Sequence, residues 1–158
     1  QIKTIAAVLA MIWLMFLVLL RRISIATIAI IPNIIPSLLI LGIMGMFNIP
    51  LDLMTITIAA IAIGIGVDNA IHYITRFTIE FNKYPDYVQS MFRAHGSIGL
   101  AMFWTSITVA LGFIVLIFSN FVPSLYFGIF TAIAMFSAVV LNLTLLPYLL
   151  ILFKPNIR

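Results

Sequence analysis

The sequence predicts an all-α membrane protein, a five-transmembrane-helix bundle with one short cytoplasmic interfacial helix. Three observations carry this. Hydrophobic residues make up 65% of the 158 and charged residues only 8%, against about a quarter charged in a soluble domain. The few charges punctuate apolar stretches long enough to cross a bilayer, which takes about 20 residues. Proline, asparagine and serine clusters divide the stretches too long for one crossing.

The first span is predicted at 4–20, closed by Arg21 and Arg22, because two cations stay at the edge of the hydrocarbon. The second covers 23–47, with Pro32 and Pro36 expected to kink its first half. Asn48, Ile49, Pro50, Leu51 and Asp52 read as a tight turn. The third, 53–77, carries the acid Asp68 followed by Asn69 and His72. Beyond Arg76 about 20 residues turn polar, with Glu80, Lys83, Asp86, Arg93 and His95. There Pro85 and Asp86 read as a helix start and Gly96 as its stop, giving the short interfacial helix. The remaining apolar run divides at Ser119, Asn120, Pro123 and Ser124 into spans at 98–118 and 125–153.

Five crossings gather Arg21, Arg22, Arg76, Lys83, Arg93, Lys154 and Arg158 on one side and leave Lys3 on the other. The positive-inside rule makes the basic side cytoplasmic, with the N-terminus outside and the C-terminus inside. The net charge of +4 therefore meets anionic lipid headgroups, and no nucleic-acid partner is expected. The chain opens on Gln1 without the signature of a signal peptide, as expected of a piece of a longer protein. One acid within the spans, no cysteine and two well-separated histidines make a poor catalytic set. No enzyme activity, cofactor or metal is expected.

Asp68 precedes Arg76 by eight residues, about 12 Å along a helix, which puts it inside the hydrocarbon zone. An ionised carboxylate there costs roughly 2.5–3.5 kcal/mol, so it is expected to face protein or a water-filled crevice, or to hold a proton. Desolvation favours the protonated form and a nearby cation or donor the ionised one. A helix motion that exchanges these surroundings would load and release a proton. Ala60, Gly64, Asp68 and His72 share one face at i, i+4 steps, where two small residues admit a neighbouring helix. His72, one turn toward the cytoplasm, is the candidate relay to water. Asn69, Thr105, Thr108 and Asn142 are candidate partners of the relay. Single hydroxyls in a helix also bond their own turn, and Gly64 and Gly112 read as packing positions.

Ile31, Pro32, Asn33, Ile34, Ile35 and Pro36, then Gly42 through Asp52, then the run from Gly64 to Phe77 that holds Asp68, Asn69 and His72, form an ordered set of motifs. With Thr105, Ser106, Thr108, Gly112, Phe113, Pro123, Gly128 and Pro147 further on, the set resembles the resistance-nodulation-division (RND) superfamily in its MMPL-type branch, related to the sterol-sensing domain. The resemblance covers nearly the whole chain. It implies the five helices that follow the extracytoplasmic domain in the C-terminal half of a twelve-helix transmembrane domain, so the N-terminal half and that extracytoplasmic domain would be missing partners. It further implies export of lipids or other hydrophobic compounds across a bacterial inner membrane, driven by protons through Asp68, and a possible homo-oligomer. Asn69 departs from relatives that carry a titratable residue after the acid. A lipid- or sterol-sensing module and a protein-export accessory of the same superfamily are the competing readings.

Overall fold

The computed structural model describes residues 2–49 and 53–156. Among them all regular structure is helical. The order is α1 (Ile2–Leu20), α2 (Ile23–Met46), α3 (Leu53–Lys83), α4 (Tyr87–Ala94), a π-turn (His95–Gly99), α5 (Leu100–Ile114), a 3₁₀ turn (Val115–Phe118) and α6 (Val122–Phe153). Four stretches among the described residues are long and apolar enough to cross a membrane: Ile23–Met46, Ile56–Lys83, Tyr87–Phe118 and Val122–Phe153. The fifth long helix, α1, has 19 residues.

The turn between α1 and α2 is only Arg21 and Arg22. It closes because Arg21 adopts a left-handed backbone, φ 54°, while its amide bonds the Leu17 carbonyl at 2.8 Å. Trp13 Nε1 donates to Thr27 Oγ1 at 3.2 Å and ties α1 to α2. Residues Pro50, Leu51 and Asp52 of the expected turn, and Arg158, lie outside the described residues. So does the side chain of Lys3. Asn48 has a left-handed φ of 52°, a conformation that asparagine tolerates better than most residues.

Helix α2 runs unbroken through Pro32 and Pro36. It packs with α3 and α6 around Ala29, Val67, Ala70, Val139 and Leu146, all buried, and a second cluster toward the other end joins Ile40, Met44, Ile58 and Phe130. Two glycines mark the closest approaches. A Cβ at Gly66 would stand 2.4 Å from Asn33 Oδ1, and one at Gly128 would stand 2.6 Å from the Phe113 carbonyl oxygen. Such contacts exclude any side chain unless the neighbour moves.

Two elements differ from the sequence reading. Helix α3 continues to Lys83, beyond the expected end at 77. Its added turns are held by Arg76 and Lys83, whose cations reach Glu80 Oε1 at 2.8 and 3.7 Å, and by packing of Phe77 and Phe81 with Tyr87. The expected stop at Gly96 is a correction. Asp86 does cap α4, accepting from the Val88 and Gln89 amides at 2.8 and 3.1 Å. No separate interfacial helix ends there, because the chain stays helical through the π-turn and enters α5 directly. Glycine permits a stop without imposing one.

The described cations collect at one end of the bundle. Arg22 donates to the Asn156 carbonyl, Tyr87 Oη donates to the Pro155 carbonyl at 2.8 Å, and Arg93 lies over the Tyr84 ring at 4.0 Å. These contacts tie the start of α2, the start of α4 and the segment after α6 together.

Candidate functional site: an acid on an uncovered helix face

Helix α3 lies at the centre of the site, packed against both α2 and α6. Asp68 and His72 point away from those neighbours, with side chains 69% and 60% exposed. Their separation of one helical turn brings His72 Nε2 to 3.4 Å from Asp68 Oδ1. Ala60 and Gly64 continue the same face and are exposed too. A Cβ built on Gly64 meets nothing within 4 Å. No described residue of this chain covers the acid.

The residues expected to partner the acid are placed elsewhere. Asn69 turns inward, 6% exposed, and donates from Nδ2 to Ser106 Oγ of α5 at 3.4 Å. Thr105 and Thr108 are exposed, and their hydroxyls donate to carbonyls of their own helix, at Ala101 and Met102 and at Trp104. Gly112 on that face has nothing within 4 Å of a Cβ. Within this chain, neither Gly64 nor Gly112 packs against a described neighbour.

Asn142 of α6 belongs to a different site, the buried centre of the bundle. Its Nδ2 lies 3.2 Å from Asn33 Oδ1, 3.3 Å from the Gly66 carbonyl oxygen and 3.0 Å from the Ala138 carbonyl oxygen. Asn33 donates in turn to the Ala29 carbonyl at 2.7 Å. Both asparagines are essentially inaccessible, so this polar knot fastens α2, α3 and α6 two residues before Asp68. Asn33 is absent from the candidates read in the sequence. Between Pro32 and Pro36 it falls in a stretch read as a kink. Its signal is its spacing from Ala29, whose carbonyl lies one turn back.

Glu80 is the other residue whose placement the sequence hides. It is 5% exposed and sits between Arg76 and Lys83 at the cation-rich end of α3. Polar groups therefore recur at 68, 72, 76 and 80 along this helix. Because each four-residue step advances about 40° around the axis, the row turns from the uncovered face at Asp68 to a buried position at Glu80.

Comparison with known proteins places this arrangement in a family. The family model described as MMPL matches residues 1–155. The chain belongs to the MMPL family. With its four long apolar helices, this membership makes the chain part of a membrane protein. It is also similar to a membrane protein of Methanocaldococcus jannaschii, at 30% identity over 116 residues, 73% of this chain and 30% of the relative. The match thus spans less than a third of that relative's length. No solved structure matches the chain.

Proposed function

We propose that this MMPL chain is the transmembrane half-domain of an exporter of lipids or other hydrophobic compounds, powered by proton influx through Asp68. The supporting observation is the Asp68 and His72 pair on the uncovered face of α3. Facing lipid, that carboxylate would cost roughly 2.5–3.5 kcal/mol. Facing a homologous set of helices, with Ala60 and Gly64 admitting close approach, it sits in protein and becomes a protonation site. In this reading the five helices are those that follow the outer domain in one half of a twelve-helix RND-type domain, and the uncovered face is where the other half docks. The cation-rich end faces the cytoplasm of a bacterial cell, which puts the N-terminus outside.

His72 lies one turn nearer that end and accepts the proton from Asp68, or holds the carboxylate ionised when it is itself protonated. Protonation of Asp68 removes the charge, so the cost of burying it against the other half falls and α3 moves closer. Release reverses the motion. The membrane potential and pH gradient then drive a cycle that an outer domain converts into substrate movement.

The test is proton flux in liposomes that hold the complete parent protein, under an imposed pH gradient. Asp68→Asn is expected to abolish flux while the protein still inserts and folds. Flux equal to wild type would remove Asp68 from the coupling role.

One observation favours a second reading, a lipid-binding sensor module. An open apolar crevice of about 450 Å³ lies between α2, α5 and α6, lined by Leu39, Ile107, Leu111, Ile133 and Phe136. A photoactivatable lipid that labels this crevice specifically, in a protein whose wild type conducts no protons, would move that reading ahead.

A further inference from the structure

Pro147 lies inside α6 and carries no amide hydrogen. The carbonyl that such an amide would have bonded, one turn earlier, is that of Leu143. That oxygen is not left bare. His95 Nε2, from the π-turn, lies 2.8 Å away. A carbonyl can only accept, so Nε2 carries a hydrogen and donates it. On the other edge of the ring, Tyr73 Oη of α3 is 2.9 Å from Nδ1, and the Met91 carbonyl oxygen is 3.2 Å from the same nitrogen. Tyr73 is fully buried and meets the imidazole edge to face, ring centroids 5.3 Å apart.

The backbone around His95 is shaped for this. The π-turn spans His95–Gly99, and Ser97 Oγ donates to the Ala94 carbonyl at 3.2 Å inside it. Such a turn inserts an extra residue and rotates the helix before it relative to the helix after it. Gly99 is buried, with a Cβ there 3.5 Å from Leu143 Cδ2, so the turn lies directly against the residue whose carbonyl is served. A polar group buried in a membrane protein must find a partner, and a proline frees one that a side chain of a neighbouring helix can satisfy.

We propose that His95 is a latch that replaces the amide missing at Pro147, and so fixes the hinge of α6 to α3 through Tyr73. With His95 in place, the Leu143 carbonyl is bonded and α6 is held in one shape. Withdrawal of His95, by movement of α3 at Tyr73 or of the π-turn, strips Leu143 of its donor and frees α6 to bend. Its consequence for transport rests on the proposed role of Asp68, which shares α3 with Tyr73; the latch itself does not.

The test is a double-mutant cycle on thermal unfolding of the complete protein in nanodiscs. His95→Phe is expected to lower Tm by several degrees. Pro147→Ala returns an amide to Leu143, so adding His95→Phe to that variant is expected to cost less than half as much. Equal losses in the two backgrounds would overturn the latch. Should His95→Phe fail to fold, the wild-type protein with ¹⁵N-labelled histidine decides: the His95 resonance is expected to show a protonated Nε2, and an unprotonated Nε2 overturns the proposal. Unchanged proton flux in Asp68→Asn beside a non-additive cycle would refute the coupling role of Asp68 and leave the latch standing.

Discussion

At position 66 a single methyl group is enough to disturb the centre of the bundle. Gly66→Ala would press on Asn33 Oδ1 from 2.4 Å. That oxygen is the end of a side chain and can swing, but swinging breaks its bond from Asn142 at a fully buried position. A loss of about 1–3 kcal/mol is expected, checked by thermal unfolding of the complete protein; unchanged stability would mean that the knot contributes nothing. Gly64, two residues away, has open space instead. The sequence shows two glycines in one apolar helix, and nothing in it tells the one that cannot change from the one that faces outward. The separation comes from Asn33 and Asn142, which stand 109 positions apart. The geometry of Asp68 and His72 is readable, since helix periodicity alone sets residues four apart side by side.

At the scale of elements, charge gaps and turn residues are good guides to where spans begin and end. They fail where a tertiary contact decides. Gly96 reads as a stop because glycine commonly ends helices, yet the chain remains helical there while His95 bonds the carbonyl of Leu143 on α6. The overrun of α3 to Lys83 shares this origin in part, since Phe77 and Phe81 pack with Tyr87 of α4, while the pairs of Glu80 with Arg76 and Lys83 lie within the helix itself. The start of α4 is visible because capping is local. Asp86→Ala removes the acceptor for two amides and is expected to destabilise the start of α4 by about 1 kcal/mol. Faster amide hydrogen exchange at Val88 and Gln89, with the other helices unchanged, is the measurement. Exchange as slow as in wild type would show that packing of Tyr87 alone secures the turn.

For the whole molecule, the informative surface is the one left without a neighbour. An exposed acid and imidazole at Asp68 and His72 do not make a stable lipid contact on a membrane helix, and Gly64 on the same face leaves room for another backbone. This chain contains no cysteine, so a thiol can be placed on that face alone. In the complete protein, Gly64→Cys is expected to form a disulfide with a cysteine on the matching helix of the homologous half, and a cysteine at exposed Trp104 is not. Absence of any crosslink from position 64 across a scan of the other half would mean that lipid or another protein covers the acid.

The length of α6 has a consequence for the bilayer itself. Its 32 residues make a rod of about 48 Å, while the hydrocarbon slab is roughly 30 Å thick, and no charged residue lies between Val122 and Phe153 to mark an exit. Such a rod cannot stand upright without exposing apolar turns to water. It must lean, bend, or thicken the lipid around it, and each of these ties its energy to acyl-chain length. The shape of α6 is thus set jointly by the protein and by the lipids of the membrane it occupies.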